Sequence, residues 1–138
     1  MSDHPDYRAI FEQSPANYVV VDTNWCVVAA TDGYLSMALR TRDELLGLNI
    51  FDAFPDDPND PNAKGTQVLR AGLEQAVASK KAEWLPGAQR YPIPRREEDG
   101  GGFEVRWFRA VNAPVLDAEG LVQYVIHGNE DVTDSMRV

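Results

Sequence analysis

The chain has 138 residues, of which 43% are hydrophobic and 25% are charged, and its formal net charge is −9 at pH 7. This size and composition are typical of one globular domain with a real core. The acidic balance argues against a nucleic-acid surface, which needs a basic face, and no apolar run reaches the ~18 residues of a membrane span. The single cysteine, Cys26, excludes an internal disulfide, and we expect a cytoplasmic protein.

The first third of the chain is predicted to hold one helix and a β-hairpin. Residues 6–13 carry apolar side chains at helical spacing, and Pro15 ends that helix. Two β-branched, apolar runs follow at residues 18–21 and 25–30. The polar turn of residues 22–24 between them indicates that the two runs pair as a hairpin.

The middle of the chain is predicted to be helical. Thr31 or Asp32 can cap a short helix, and residues 41–44, Thr-Arg-Asp-Glu, form a capping-box pattern that starts another. A further helical turn over residues 50–54 precedes an acidic, proline-rich loop. The apolar stripe within residues 62–80 predicts the longest helix of the chain.

The last third is predicted to be β. Residues 84–94 are extended but contain three prolines, which indicates an edge strand or an irregular segment. Residues 103–111 form a strong strand, and residues 121–131 form the last one after a turn at residues 117–120. Strands gathered into two runs around a helical middle indicate an α+β domain with an antiparallel sheet.

Four short motifs, taken in order, resemble those of a PAS sensor domain. They are Phe-Glu-Gln-Ser-Pro at 11–15, Tyr-Val-Val-Val-Asp at 18–22, Asn-Ala-Pro-Val-Leu-Asp-Ala-Glu-Gly at 112–120 and the terminal Glu-Asp-Val-Thr at 130–133. The resemblance covers nearly the whole chain, and each motif stands at the spacing that the family shows. It bears on the fold more than on the ligand, because one fold hosts many functions.

The resemblance implies a PAS-like five-stranded antiparallel sheet of order 2-1-5-4-3 with helices on one face. It implies a single sensor domain over residues 1–138, with an N-terminal cap helix at about 6–14 and a core at about 16–133. The start of an exit linker would then occupy residues 134–138. In such a domain, a ligand lies between the sheet and the helices.

The resemblance, combined with the two-residue alternation of strand side chains, also implies which residues face the helices. The inward set, our candidate ligand pocket, comprises Val19, Val21, Arg106, Phe108, Ala110, Asn112, Val125, His127 and Asn129. The outward set comprises Tyr18, Val20, Val105, Trp107, Val111, Tyr124 and Ile126. The outward set is too apolar to face water, so we expect the cap helix and a second subunit to cover it. A register error of one residue would exchange the two faces.

His127 is the most ambiguous of the inward residues. With Arg106, Asn112 and Asn129 it could offer convergent donors to a small polar or anionic ligand. Equally, it could be a hydrogen-bonded structural residue of the core. As the one histidine predicted on the sheet, it decides between a binding and a purely structural interpretation of the inward face.

The end of the last strand is predicted to be the signal exit. The short side chains of Asp131 and Thr133 can bond to the backbone and to a charged group, which would fix how the chain leaves the sheet. The same residues could simply cap the strand and start a helix at Thr133. Arg106 could pair with a surface carboxylate such as Glu104 or Glu130.

Neither heme, flavin nor a metal is predicted as a cofactor. The flavin branch of the family carries its cysteine in an Asn-Cys-Arg-Phe-like motif in the helical middle, whereas Cys26 lies on a strand. The oxygen-sensing heme branch uses a histidine on the long helix, and residues 62–80 contain none.

These inferences predict a sensory or regulatory module of a signalling protein, with no catalytic residues. We expect it to bind a small ligand or partner, to form a homodimer and to signal to a covalently linked output domain, a histidine kinase or a cyclic-dinucleotide enzyme. The chain stops soon after its last strand, as a piece of a longer protein would. One alternative is a dimerisation-only domain without a ligand. Another is a small isomerase or dehydratase on a cone-shaped α+β fold, for which His127 is the one plausible base.

Overall fold

One antiparallel sheet organises the part of the chain that the computed structural model describes, residues 4–136 without the side chains of residues 91 and 94. Its strands are β1 (Asn17–Asp22), β2 (Val27–Ala30), β3 (Glu83–Trp84), β4 (Gln89–Pro94), β5 (Phe103–Leu116) and β6 (Val122–Asp131). Their order is β2-β1-β6-β5, and β3 and β4 both pair with β5 as two pieces of one edge. With that edge counted as one strand, the predicted α+β fold and the order 2-1-5-4-3 are confirmed. Residues 1–3, and residues 137 and 138 of the expected exit linker, lie outside the described part.

The helices of the described chain begin close to the predicted positions. They are α1 (Tyr7–Glu12), α2 (Asp32–Ala38), α3 (Arg42–Leu45), α4 (Ile50–Ala53) and α5 (Gly65–Ser79), with 3-10 turns at Glu97–Asp99 and Thr133–Met136. Thr31, the residue before α2, caps it by accepting a hydrogen bond from the Tyr34 N–H. The capping box of Thr41 and Glu44 is present at α3. Within residues 4–136, each helix is too short or too polar to cross a membrane.

The edge formed by β3 and β4 is interrupted at residues 85–88. Gly87 has a φ of 70° there, a left-handed conformation that favours glycine, and Pro86 cannot donate to a neighbouring strand. The Leu85 N–H still bonds to the Ala110 carbonyl of β5 at 2.8 Å. The sequence offered an edge strand or an irregular segment as alternatives, and this stretch contains both.

The core lies between one face of the sheet and helices α2 to α5. From the sheet, Val19, Val21 and Val125 are 0% exposed, and they belong to one apolar cluster with Leu45 and Leu73 of the helices. A fully buried side chain of this size stabilises the folded state by about 1.5–3 kcal/mol. These three valines were expected to face inward as pocket residues, and the structure places them in this packed core.

The opposite, outer face of the sheet stays partly open. Its residues Tyr18, Val105 and Tyr124 are 39%, 39% and 38% exposed, while Val20, Trp107, Val111 and Ile126 are half-buried. We expected α1 to help cover this face. Instead α1 buries none of its residues, and Tyr7 and Ile10 are 73% and 63% exposed.

The position of α1 follows from a polar contact at the sheet edge. The Arg42 guanidinium donates a hydrogen bond to the Glu12 carbonyl at 3.3 Å and another to the Ala30 carbonyl at the end of β2 at 2.9 Å. Its Nε also lies 3.6 Å from the Glu12 carboxylate. These contacts hold the end of α1 beside β2, so the expected cover by its apolar side chains is corrected.

Candidate functional site

A cavity of about 50 Å³ lies between the inward face of the sheet and the helices. This is room for a few water molecules or one small ring. Its lining residues are Tyr34, Met37, Phe54, Gly65, Val68, Leu69, Leu85, Gln89, Ile93, Phe108, Ala110, His127 and Asn129. Most are apolar, and the polar ones carry phenol, amide or imidazole groups.

Four of the nine inward residues predicted from the sequence line this cavity: Phe108, Ala110, His127 and Asn129. Asn112 is buried beside His127, at 2% exposure. Arg106 is not among the lining residues. The two-residue alternation therefore brings only part of the inward set to the cavity.

The remaining lining residues come from elements that strand alternation does not address. Tyr34 and Met37 lie on α2, Phe54 follows α4, and Leu85 and Gln89 border the break between β3 and β4. The helical stripe of α5 was the one sequence signal for this wall, and it supplies Val68 and Leu69. Which loop residues turn inward depends on tertiary packing.

The close approach of α5 to the sheet depends on Gly72. A Cβ atom added at Gly72 would lie 2.5 Å from Nδ2 of Asn112, a distance that side chains do not tolerate. The helix can therefore rest directly on Asn112 only because this position has no side chain. The contact fixes the depth of the space between α5 and β5.

His127 is a neutral, hydrogen-bonded residue at the sheet side of the cavity. It is 6% exposed, and its Nδ1 lies 2.7 Å from Oδ1 of Asn112 on the neighbouring strand. With that oxygen as acceptor, the ring proton is on Nδ1 and Nε2 keeps a lone pair. Burial lowers the pKa of His127 to about 4, although the side chain of Asn129 favours the protonated ring. The imidazole is thus uncharged at neutral pH.

Tyr34 and Phe54 form the aromatic side of the same cavity. Their ring centroids are 6.0 Å apart at an interplanar angle of 84°, the edge-to-face arrangement that aromatic pairs favour. Burial raises the pKa of the Tyr34 phenol above its usual value, so this group is also neutral. The cavity therefore offers hydrogen-bonding groups without a formal charge.

Arg106 lies outside the cavity, in an ion-pair cluster at the end of the sheet. Its guanidinium bonds to the Asp131 carboxylate at 2.8 Å and to the Glu104 carboxylate at 3.1 Å. Glu104, one of the two partners of Arg106 expected from the sequence, therefore contacts it. Glu130 lies nearer to Arg109, at 3.9 Å, because it alternates to the face opposite Asp131.

Thr133 joins the same cluster and ties the chain exit to β5. The Asp131 carboxylate accepts hydrogen bonds from the Thr133 N–H at 2.9 Å and from its hydroxyl at 2.5 Å. The hydroxyl oxygen in turn accepts from the Trp107 N–H at 3.0 Å, and the Val132 N–H bonds to the Trp107 carbonyl at 2.8 Å. We call Arg106, Trp107, Asp131 and Thr133 the exit cluster.

The exit cluster carries formal charges, whereas the cavity is neutral. Burial alone would raise the pKa of Asp131, but hydrogen bonds from Thr133 and from Arg106 outweigh it and hold that pKa below its usual range. The hydrogen bond between Arg106 and Asp131 in turn raises the pKa of Arg106. Within the described residues, no group of three His, Cys, Asp or Glu side chains could hold a metal ion.

We predict that His127 titrates far below an ordinary histidine. Its folded-state pKa of about 4 lies below the usual 6.5, so the neutral ring stabilises the fold fully above pH 6.5, and this contribution is lost as the pH falls toward 4. The loss amounts to about 3 kcal/mol. It is measured as the difference in the pH dependence of urea unfolding between the wild type and His127→Gln.

The NMR signal of the His127 ring, assigned by its absence from His127→Gln, gives the pKa directly. A ring that titrates near 6.5 would contradict the neutral, buried environment. A free energy of unfolding that depends less on pH in His127→Gln than in the wild type supports that environment.

The family model described as the PAS fold matches residues 11–137. No curated protein matches the chain. Similar solved structures include the PAS domain of BvgS from Bordetella pertussis, with a TM-score of 0.65, 21% identity, and 92% of this chain and 84% of that one covered. Another is a sensory box sensor histidine kinase from Vibrio cholerae, with a TM-score of 0.64 and 14% identity. That alignment covers 91% of this chain and 88% of the kinase structure.

An RNA-binding light-oxygen-voltage receptor is also similar, with a TM-score of 0.64 and 16% identity. The alignment covers 92% of this chain and 32% of the receptor, so the chain spans about a third of that protein's length. At these identities the likeness shows the fold alone. Because the family model covers most of the sequence, the resemblance is confirmed, and the chain belongs to the PAS family.

Proposed function

We propose that the domain is a sensory module that takes a small ligand into the cavity and passes the resulting change through the exit cluster to a linked output domain. The observation that carries this proposal is that cavity and exit share two strands. On β5, Arg106 and Trp107 of the exit precede Phe108 and Ala110 of the cavity. On β6, Asn129 of the cavity stands two residues before Asp131.

The cross-strand register connects the two regions further. Phe108 of the cavity is paired with Asp131 of the exit, and Ala110 is paired with Asn129. Two residues of strand span about 7 Å, so a ligand that shifts Asn129 acts close to the Asp131 carboxylate. A ligand changes the exit only to the extent that it binds one arrangement better than the other. The short distance makes such a difference easy to transmit.

One similar structure is of a sensor histidine kinase, which supports a histidine kinase as the output, with a cyclic-dinucleotide enzyme as the alternative. We place the module in the cytoplasm, and the free thiol of Cys26 fits a reducing compartment.

We propose that the cavity has no catalytic role. A general base works best with a pKa near the operating pH, and His127, at about 4, is a weak base. The described lining residues include no carboxylate that could orient or assist it. A volume of about 50 Å³ also favours a compact ligand over heme or a flavin, and Cys26 lies away from the cavity, in a bridge with Asn49.

Filling the cavity by substitution tests the coupling without knowledge of the ligand. Ala110→Leu places extra carbon atoms in the cavity, and we expect it to alter amide hydrogen exchange of Val132 and Thr133. The expected change is about 0.5 kcal/mol or more in opening free energy, a factor of about two in exchange rate. Mass spectrometry or NMR of the folded protein measures it.

The matched control is Ala113→Leu, three residues along the same strand and on its opposite face. This variant enlarges the same residue type without entering the cavity, so exchange at Val132 and Thr133 should stay as in the wild type. If Ala110→Leu folds and leaves these two amides unchanged, the proposed transmission is wrong.

We also propose that the outer face of the sheet forms a homodimer. The support is its partly exposed apolar surface, which includes Val105 and Tyr124, because such a patch usually marks a contact surface. A domain that only dimerises, without a ligand, would use the same face. The cavity-filling experiment separates these two functions.

Val105→Arg should shift the protein from dimer to monomer in light scattering, because it places a charge within the apolar patch. Leu121→Arg is the control, since Leu121, directly before β6, is 61% exposed and lies outside the outward set. A wild type that is monomeric at high concentration, or a dimer unaffected by Val105→Arg, would overturn the dimer proposal.

A further inference from the structure

Formal positive charge is found beside the cavity and not within it. Among the described lining residues there is no lysine or arginine, and the one imidazole, that of His127, is neutral at pH 7 because burial lowers its pKa to about 4. Arg106, which the strand alternation places on the same face, has its guanidinium occupied by the carboxylates of Glu104 and Asp131. An anion in the cavity would therefore meet no lysine or arginine among the described lining residues.

We propose that the cavity takes an uncharged, compact molecule of about one ring, with a hydrogen-bonding group at the end that meets His127 and Asn129. This inference rests on the proposed function, because it names the class of ligand for the same site. It narrows the ligand expected from the sequence, polar or anionic, to a neutral one.

Desolvation disfavours a charged ligand in this cavity. Moving an unpaired carboxylate from water into an apolar environment is strongly unfavourable, whereas a neutral amide or hydroxyl costs a few kcal/mol at most when it finds a hydrogen-bond partner. The imidazole is held neutral by burial. A cation is equally unfavourable there, since the described lining residues supply no carboxylate.

The polar and apolar parts of the lining are arranged for a ligand with two ends. Asn129 and His127 stand on β6 at one side, and their amide and imidazole groups can donate and accept hydrogen bonds. Across from the sheet, Phe54 and Leu69 supply apolar surface from the helical side. A molecule with a hydrocarbon body and one neutral polar group satisfies both sides.

The size limit comes from the way α5 rests on the sheet. Gly72 lies against Asn112, so the helix cannot move closer, and the remaining space is about 50 Å³. A cavity of this size holds a few water molecules or a ligand with a small number of heavy atoms. Longer chains and multi-ring cofactors would need α5 to move away from β5.

Three probes of nearly equal shape test the charge preference: benzamide is neutral, benzoate is an anion and benzylamine is a cation. Each is titrated into the ¹⁵N-labelled full chain, and the amide signals of Phe108, Ala110 and Asn129 report binding. We expect saturable shifts with benzamide. Binding of benzoate and benzylamine should be weaker by about ten-fold or more, because a buried charge lacks a partner.

Variants at one lining residue should reverse this order. Gln89→Lys adds a cation to the lining and should raise the affinity for benzoate relative to benzamide, and Gln89→Glu should do the same for benzylamine. The control, Gln75→Lys, adds the same charge on the exposed side of α5 and should leave the order unchanged. Arg106→Lys should also leave it unchanged, because Arg106 does not line the cavity.

Benzoate binding at the same amides as tightly as benzamide would overturn the inference and leave a ligand-binding module intact, as would loss of benzoate binding in Arg106→Lys. Absence of shifts with all three probes would also overturn it. The cavity-filling experiment, which needs no ligand, decides the proposed function separately.

Discussion

The pairing of β5 with β6 is the constraint on which the rest of the structure depends. Its register sets Ala110 against Asn129, and Phe108 against Asp131. Because side chains alternate along a strand, this one register decides which residues meet the helices and which form the outer face. A slip by one residue would move His127 out of the cavity and separate Arg106 from Asp131. Cavity and exit therefore depend on the same backbone hydrogen bonds.

The two polar groups of the inward face differ because their depth in the sheet differs. His127 lies under the helices, and burial keeps it neutral against Asn112. Arg106 stands on the same face near the start of β5, with about a third of its side chain exposed, where it can keep its charge beside Asp131. A partly exposed ion pair of this kind contributes little stability by itself. Its value here is geometric, since with Thr133 it fixes where the chain leaves the sheet.

Much of this arrangement could be predicted from the sequence. The apolar runs and the turns predicted the strands, the resemblance to the PAS family implied their order, and the pattern at residues 41–44 predicted a capping box that is present at α3. The alternation of side chains could not predict how deeply each residue of one face is buried beneath the helices. It placed Arg106 with Phe108 on one face, but only the tertiary structure shows that the helices cover Phe108 and stop short of Arg106. The apolar spacing of α1 likewise predicted a buried face, whereas Arg42 holds that helix at the edge of the sheet.

The central claim is that the cavity and the exit cluster act as one unit through β5 and β6. A double-mutant cycle on the free energy of unfolding, with His127→Gln in the cavity and Thr133→Val at the exit, tests it most directly. The two residues are six positions apart on the chain, too far for direct contact between their side chains. We predict a coupling energy of about 0.5 kcal/mol or more between them. Strict additivity, within about 0.3 kcal/mol, would show that the two regions are independent and would contradict the claim.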